Sequence, residues 1–190
     1  MKRIKNVDKL LSIVFITVII LYLFSFIIIN FKGLFIFFDS DMYADLVLSK
    51  YIMNQKSFFP SGWVFGNQYC VVQTPMLSAI LQYIGINSTL SMKISTFIMT
   101  LLIVGSFVWM LKPYVSRTSV LCGIMILFSS IIGCEIGKQI EGQLFYLGFS
   151  YYSCYLICMF LVFGCLNNTI LISKNPTAWK KTFLIHNIFR

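Results

Sequence analysis

Four stretches of the chain carry no charged side chain and few polar ones: Leu10–Phe31, Ile94–Leu111, Thr118–Cys134 and Leu144–Leu166. A helix needs about 20 mostly apolar residues, within a range near 17–25, to cross the hydrocarbon core of a bilayer. All four satisfy that length, the third at its lower edge. They lack the polar stripe that a helix of a soluble bundle keeps toward water. The pattern therefore predicts an all-α integral membrane protein with about four transmembrane helices, over 10–31, 94–111, 118–134 and 144–166.

A fifth uncharged span, Ser57–Met92, reads differently. Pro60, Gly62, Gly66, Asn67, Gln68, Gln73, Pro75 and Gln82 interrupt it and leave only a short apolar piece near Met76–Ile86. That length suits an interfacial segment rather than a crossing. Ahead of it, Tyr43, Leu46, Val47 and Tyr51 recur at helical spacing between Asp41 and Lys56. The first external segment, 32–93, is thus expected to carry two short interfacial helices, with Trp63, Phe65 and Tyr69 as interfacial anchors. A short external loop, 135–143, and a cytoplasmic tail, 167–190, complete a single membrane domain without internal repeats.

Composition agrees: 11% of residues are charged and 58% apolar, against about 25% and 45–50% in an ordinary soluble domain. The net charge of +9 raises the question of nucleic acid, and its distribution answers it. Lys2, Arg3, Lys5 and Lys9 precede the first run, Lys112 and Arg117 separate the second from the third, and Lys174, Lys180, Lys181 and Arg190 follow the fourth. With four crossings these groups share one side, which is the positive-inside pattern. The expectation is a multi-pass protein of the plasma (inner) membrane, both termini cytoplasmic, partnered by the lipid bilayer and not by nucleic acid. The first run is too long for a signal-peptide core and has no small-residue cleavage site after it. The six cysteines form no spaced framework, and no CxxC suggests zinc. Basic residues followed by the apolar start Phe183–Phe189 lead us to expect a piece of a larger multi-spanning protein.

Three of the six acidic residues crowd into Asp39–Asp45, directly after the first run. Carboxylates at a membrane boundary are costly unless they are hydrated or paired. One aspartate could cap the following helix; Asp41 and Asp45, at i,i+4, would then repel mildly. Alternatively, Asp39 and Asp41 could share a divalent cation that grips a phosphate, or one of them could remove a proton from a hydroxyl. Both readings stand on the sequence.

The stretch Phe38-Asp39-Ser40-Asp41-Met42-Tyr43-Ala44-Asp45, continued by Phe59-Pro60-Ser61-Gly62-Trp63-Val64-Phe65-Gly66-Asn67, resembles the amino-terminal part of polyprenyl-phosphate-dependent membrane glycosyltransferases of the GT-C type. These include protein O-mannosyltransferases and aminoarabinose transferases. The resemblance implies an inverting sugar transfer from a polyprenyl-phosphate sugar donor, with Asp39 and Asp41 catalytic or metal-binding and Asp45 binding substrate. Lys138 and Glu141, in the loop Glu135–Glu141, would take the family's later external polar positions. All three arginines, Arg3, Arg117 and Arg190, fall on the expected cytoplasmic side, so a donor phosphate would meet lysine. A non-catalytic multi-spanning protein is the alternative. A transporter ranks third, because it would want polar or ionisable groups within the spans and the four runs as bounded offer no charged group and few polar ones.

Overall fold

The computed structural model describes residues 2–33, 40–64, 73–132 and 147–174. Among the described residues six α-helices follow one another: α1 (Lys2–Ile28), α2 (Ser40–Gln55), α3 (Thr74–Tyr83), α4 (Ser88–Leu111), α5 (Arg117–Ile132) and α6 (Ser153–Lys174). A π-helical turn, Ile29–Gly33, ends α1, and a second, Leu147–Tyr151, precedes α6. The described residues contain no strand. Among the described residues three helices are long and apolar enough to cross a membrane, over Asn6–Lys32, Ser88–Leu111 and Ser153–Leu171. The 16 residues of α5 rise only about 24 Å, against a hydrocarbon core of about 30 Å.

Local chemistry sets several boundaries. Pro75 stands in the first turn of α3, where a missing N–H costs nothing. Gly85, with φ +96°, reverses the chain between α3 and α4, a conformation open to glycine at little cost. The Asn87 side chain then caps α4 by accepting from Leu90 N at 2.7 Å. Because α4 begins at Ser88, it enters six residues before the apolar run at Ile94, and Lys93 lies inside it.

Side-chain contacts fix the directions of the four long helices. Asn30 meets Lys93, and Phe26 meets Phe97 at 6.0 Å between ring centroids, so α1 and α4 are antiparallel. Ser12 pairs with Thr118 at 3.0 Å, whereas Phe26 and Phe128, farther along each helix, both meet Phe149. α1 and α5 are therefore parallel. Thr96 lies beside Ser150 and Phe107 against Phe160, which makes α4 and α6 parallel too. The bundle alternates up, down, up, down.

That alternation creates two poles. One gathers the start of α1, the Lys112–Ser116 turn and the end of α6, where the Tyr114 hydroxyl donates to the Asn167 carbonyl. The other gathers the π turn after α1, the starts of α2, α3 and α4, and the π turn before α6. The main core joins the two through Phe26, Met42, Met92, Ile103, Phe128, Phe149 and Phe160. A satellite core of Leu48, Ile52, Met76 and Ala79 fastens α2 to α3.

Candidate functional site

Asp41 and Asp45 stand at the second pole. Asp41 is in the first turn of α2, and Asp45 follows one turn later. Met42 between them is 1% exposed and anchors this turn in the main core. Asp41 is exposed and Asp45 half-buried. Tyr151, which ends the π turn ahead of the crossing stretch Ser153–Leu171, lies within their field. Burial first, and then the carboxylates of Asp41 and Asp45 and the neighbouring Tyr152, hold the Tyr151 phenol proton more tightly than usual. An edge-to-face contact at 5.0 Å ties the Tyr151 ring to Tyr152, which in turn meets Tyr155 at 6.2 Å.

A buried polar seam runs through this pole. Thr74 Oγ1 donates to the Ser150 carbonyl at 3.1 Å, and Thr96 Oγ1 reaches Ser150 Oγ at 3.5 Å. These bonds pin the π turn bearing Tyr151 to the starts of α3 and α4. Lys93 Nζ crosses to the Phe31 carbonyl at 2.6 Å, and Asn30 Nδ2 donates to the Lys93 carbonyl at 2.8 Å. The π turn after α1 is thereby fixed to α4. Asn30 is fully buried, and its Oδ1 is the one buried side-chain oxygen or nitrogen without a hydrogen-bond partner among the described residues. Farther along, Gln82 Nε2 donates to Ser49 Oγ at 2.7 Å and to Ser78 Oγ at 3.1 Å, and Ser78 Oγ meets Ser91 Oγ at 2.8 Å. This chain of side-chain bonds joins α2, α3 and α4.

Of the residues singled out in the sequence, Asp41 and Asp45 stand one turn apart at the start of α2, which shares the main core with the π turn bearing Tyr151 through Met42 and Phe149. Asp39, Lys138 and Glu141 lie outside the described residues. Among the described residues no group of three or more His, Cys, Asp or Glu gathers as a metal site would require.

The expectation that the spans offer too little polar character to matter needs correction, because α4 extends past the apolar run to take in Lys93. Lys93, Ser95, Thr96, Thr100 and Ser106 all lie buried within α4. Sequence reasoning passed over this row because its hydroxyls satisfy themselves on the helix. Ser95 donates to the Ser91 carbonyl, Thr96 to that of Met92 and Thr100 to that of Thr96. The signal was available: Ser88, Ser91, Ser95 and Ser106, with Thr96 and Thr100, recur at helical spacing, as small polar residues do where membrane helices meet.

Chemically, this pole carries two carboxylates, which can accept hydrogen bonds, and a phenol, which can donate one, beside a hydrogen-bonded polar seam. Such a set suits a polyhydroxylated ligand or a cation. Comparison of the chain with family models, curated proteins and solved structures finds no match.

Proposed function

We propose that this chain is a multi-pass membrane protein with four crossings, α5 being the third in order, and that its acidic pole is the active face of a lipid-phosphosugar-dependent glycosyltransferase. The observation that carries the reading is that the start of α2, with Asp41 and Asp45, packs in one core with the π turn bearing Tyr151, which Thr74 and Thr96 pin to α3 and α4. In the transfer, an acceptor hydroxyl attacks the anomeric carbon of the donor. The bond from that carbon to the lipid-phosphate oxygen breaks, the phosphate leaves with the electron pair, and a carboxylate takes the hydroxyl proton. Asp39 and Asp41 are the first choices for that base or for a divalent-cation ligand. Asp45 and Tyr151 hold sugar hydroxyls, with Lys138 and Glu141 completing the site.

Charge supports an orientation. Lys112 and Arg117 share a pole with the basic start of α1 and the end of α6, opposite the aspartates. By the positive-inside rule that pole is cytoplasmic, with both termini, and the acidic pole is external in a plasma (inner) membrane.

The test is transfer of labelled sugar from a polyprenyl-phosphate donor by the full chain in proteoliposomes. Asp41→Asn is expected to lower the rate by about 10²-fold or more, the usual contribution of a positioned proton acceptor. Absence of transfer from every such donor, or an unchanged rate in Asp41→Asn and Asp39→Asn alike, would overturn the reading. The exposed position of Asp41 in the first turn of α2 favours a second one. In it the aspartate complements the helix dipole of a non-catalytic membrane protein, and Asp41→Asn changes only stability, by about 0.3–1 kcal/mol.

A further inference from the structure

The other end of α2 presents a site of different chemistry. It lies 11 to 15 residues beyond the aspartates, about 16–22 Å along the helix. Here the ends of α2 and α3 border an open cleft of about 310 Å³. Ile52 and Ala79 form its floor, Ile80 and Phe58 its walls, and Tyr83 and Lys56 its rim. Lys56 has φ 51°, a left-handed conformation that glycine or asparagine usually supplies just after a helix. It sets the ammonium 5.7 Å above the Tyr83 ring, and no carboxylate lines the cleft.

The surroundings are apolar and outward-facing. Phe59, Val64, Tyr83 and Ile84 are 61%, 92%, 65% and 67% exposed. A patch of this kind expects a partner, and lipid is the partner within reach of a chain that carries membrane-spanning helices. A lysine whose stem follows apolar surface while its ammonium stays at the rim is how a cation reaches headgroup level.

We infer that this cleft binds an anionic phospholipid, the phosphate on Lys56 and the first methylenes of an acyl chain against Ile80, Phe58 and Ile52. Charge complementarity and the apolar walls together select the ligand. Free phosphate would use the lysine alone, and a zwitterionic lipid brings its own cation to compete with Lys56 for the phosphate.

The experiment uses the full chain in uncharged detergent, with phosphatidylglycerol, phosphatidylcholine or inorganic phosphate added, and reads Tm together with lipid retained in native mass spectra. Phosphatidylglycerol is expected to raise Tm and to stay bound, and the other two are expected to do neither. Lys56→Gln should lose phosphatidylglycerol retention by about fivefold, the usual weight of one lysine at an anionic surface. Lys56→Asn, which suits the left-handed backbone, should lose as much and so separates charge from folding. Ile80→Gln, at an exposed wall position, should weaken retention while Lys56 remains. Equal retention in Lys56→Asn and wild type would overturn the inference. So would an equal Tm gain from inorganic phosphate, or a protein partner that Ile80→Gln releases while phosphatidylglycerol does nothing.

Discussion

α1 and α4 are both long and apolar enough to cross a membrane, yet they occupy opposite environments. Only 6% of the crossing stretch of α1 is buried within the protein, against 33% of that of α4. α1 turns Leu10, Ile20, Leu21 and Phe24 outward and touches the bundle mainly through α5 and the Phe26–Asn30 corner. α4 meets α3, α6 and both π turns, and it lines those contacts with hydroxyls. Hydropathy averages the side chains and treats the two alike. What separates them is the spacing of small polar groups, which lets a helix be approached closely and hydrogen-bonded from several sides.

The contrast should be visible in mutational tolerance. The largest effect is expected in the seam. Ser91→Leu forces a larger side chain onto Ser78 and removes a bond that α3 and α4 share. It should cost about 2–4 kcal/mol by overpacking and an unmet polar group together, read as a lowered Tm in detergent. Leu21→Ala on α1, 61% exposed, should change stability by less than about 0.5 kcal/mol. Equal effects at the two positions would dissolve the distinction.

Next in size is Lys93→Met. It removes the donor to the Phe31 carbonyl and loosens the π turn after α1, at a cost of about 1–3 kcal/mol for the stranded acceptor. Chemical unfolding against wild type measures it. Two glycines then sharpen the contrast at a smaller scale. A Cβ at Gly164 would overlap the Trp109 ring, whereas a Cβ at Gly105 meets nothing within 4 Å. Gly164→Ala should therefore destabilise by about 1–3 kcal/mol. Gly105→Ala should stabilise by about 0.5–1 kcal/mol through the helix preference alone. Thermal unfolding of both variants decides.

The smallest effect is electrostatic and concerns the acidic pole. Because the Tyr151 phenol is raised above its ordinary value, the folded chain holds that proton longer than the unfolded chain. Its contribution is intact below about pH 10, the ordinary tyrosine value. It is lost as pH rises from there through the folded value. Asp41→Asn with Asp45→Asn should lower the Tyr151 titration without restoring its usual position, since burial is the larger cause. Difference absorbance against Tyr151→Phe isolates the phenol. No movement would separate the carboxylates from Tyr151.

Much of this architecture was legible in the chain. The apolar runs marked the helices, whereas the α3–α4 corner rests on Gly85 and the Asn87 cap, which the hydropathy pattern does not single out. The helical spacing of Tyr43, Leu46, Val47 and Tyr51 marked α2, and an apolar piece between polar flanks marked α3. The candidate site was legible by half. Crowded carboxylates pointed to Asp41 and Asp45, but nothing local linked them to Tyr151. That pairing depends on Phe149 entering the core and on Thr74 holding the turn before α6. Lys93 was misplaced because a lysine at the edge of an apolar run reads as a flank. Its burial follows from the helix starting at Ser88 and from a carbonyl of the π turn within reach.

The central claim is that basic and acidic poles lie on opposite sides of a membrane, with the acidic one outside. In a cysteine-free background, single cysteines at Asp41 and at Ser116 would be exposed to a membrane-impermeant maleimide on intact cells, before and after permeabilisation. The account predicts labelling of the Asp41 position in intact cells and of the Ser116 position only after permeabilisation. Labelling of both positions, or of the Ser116 position alone, in intact cells would contradict it.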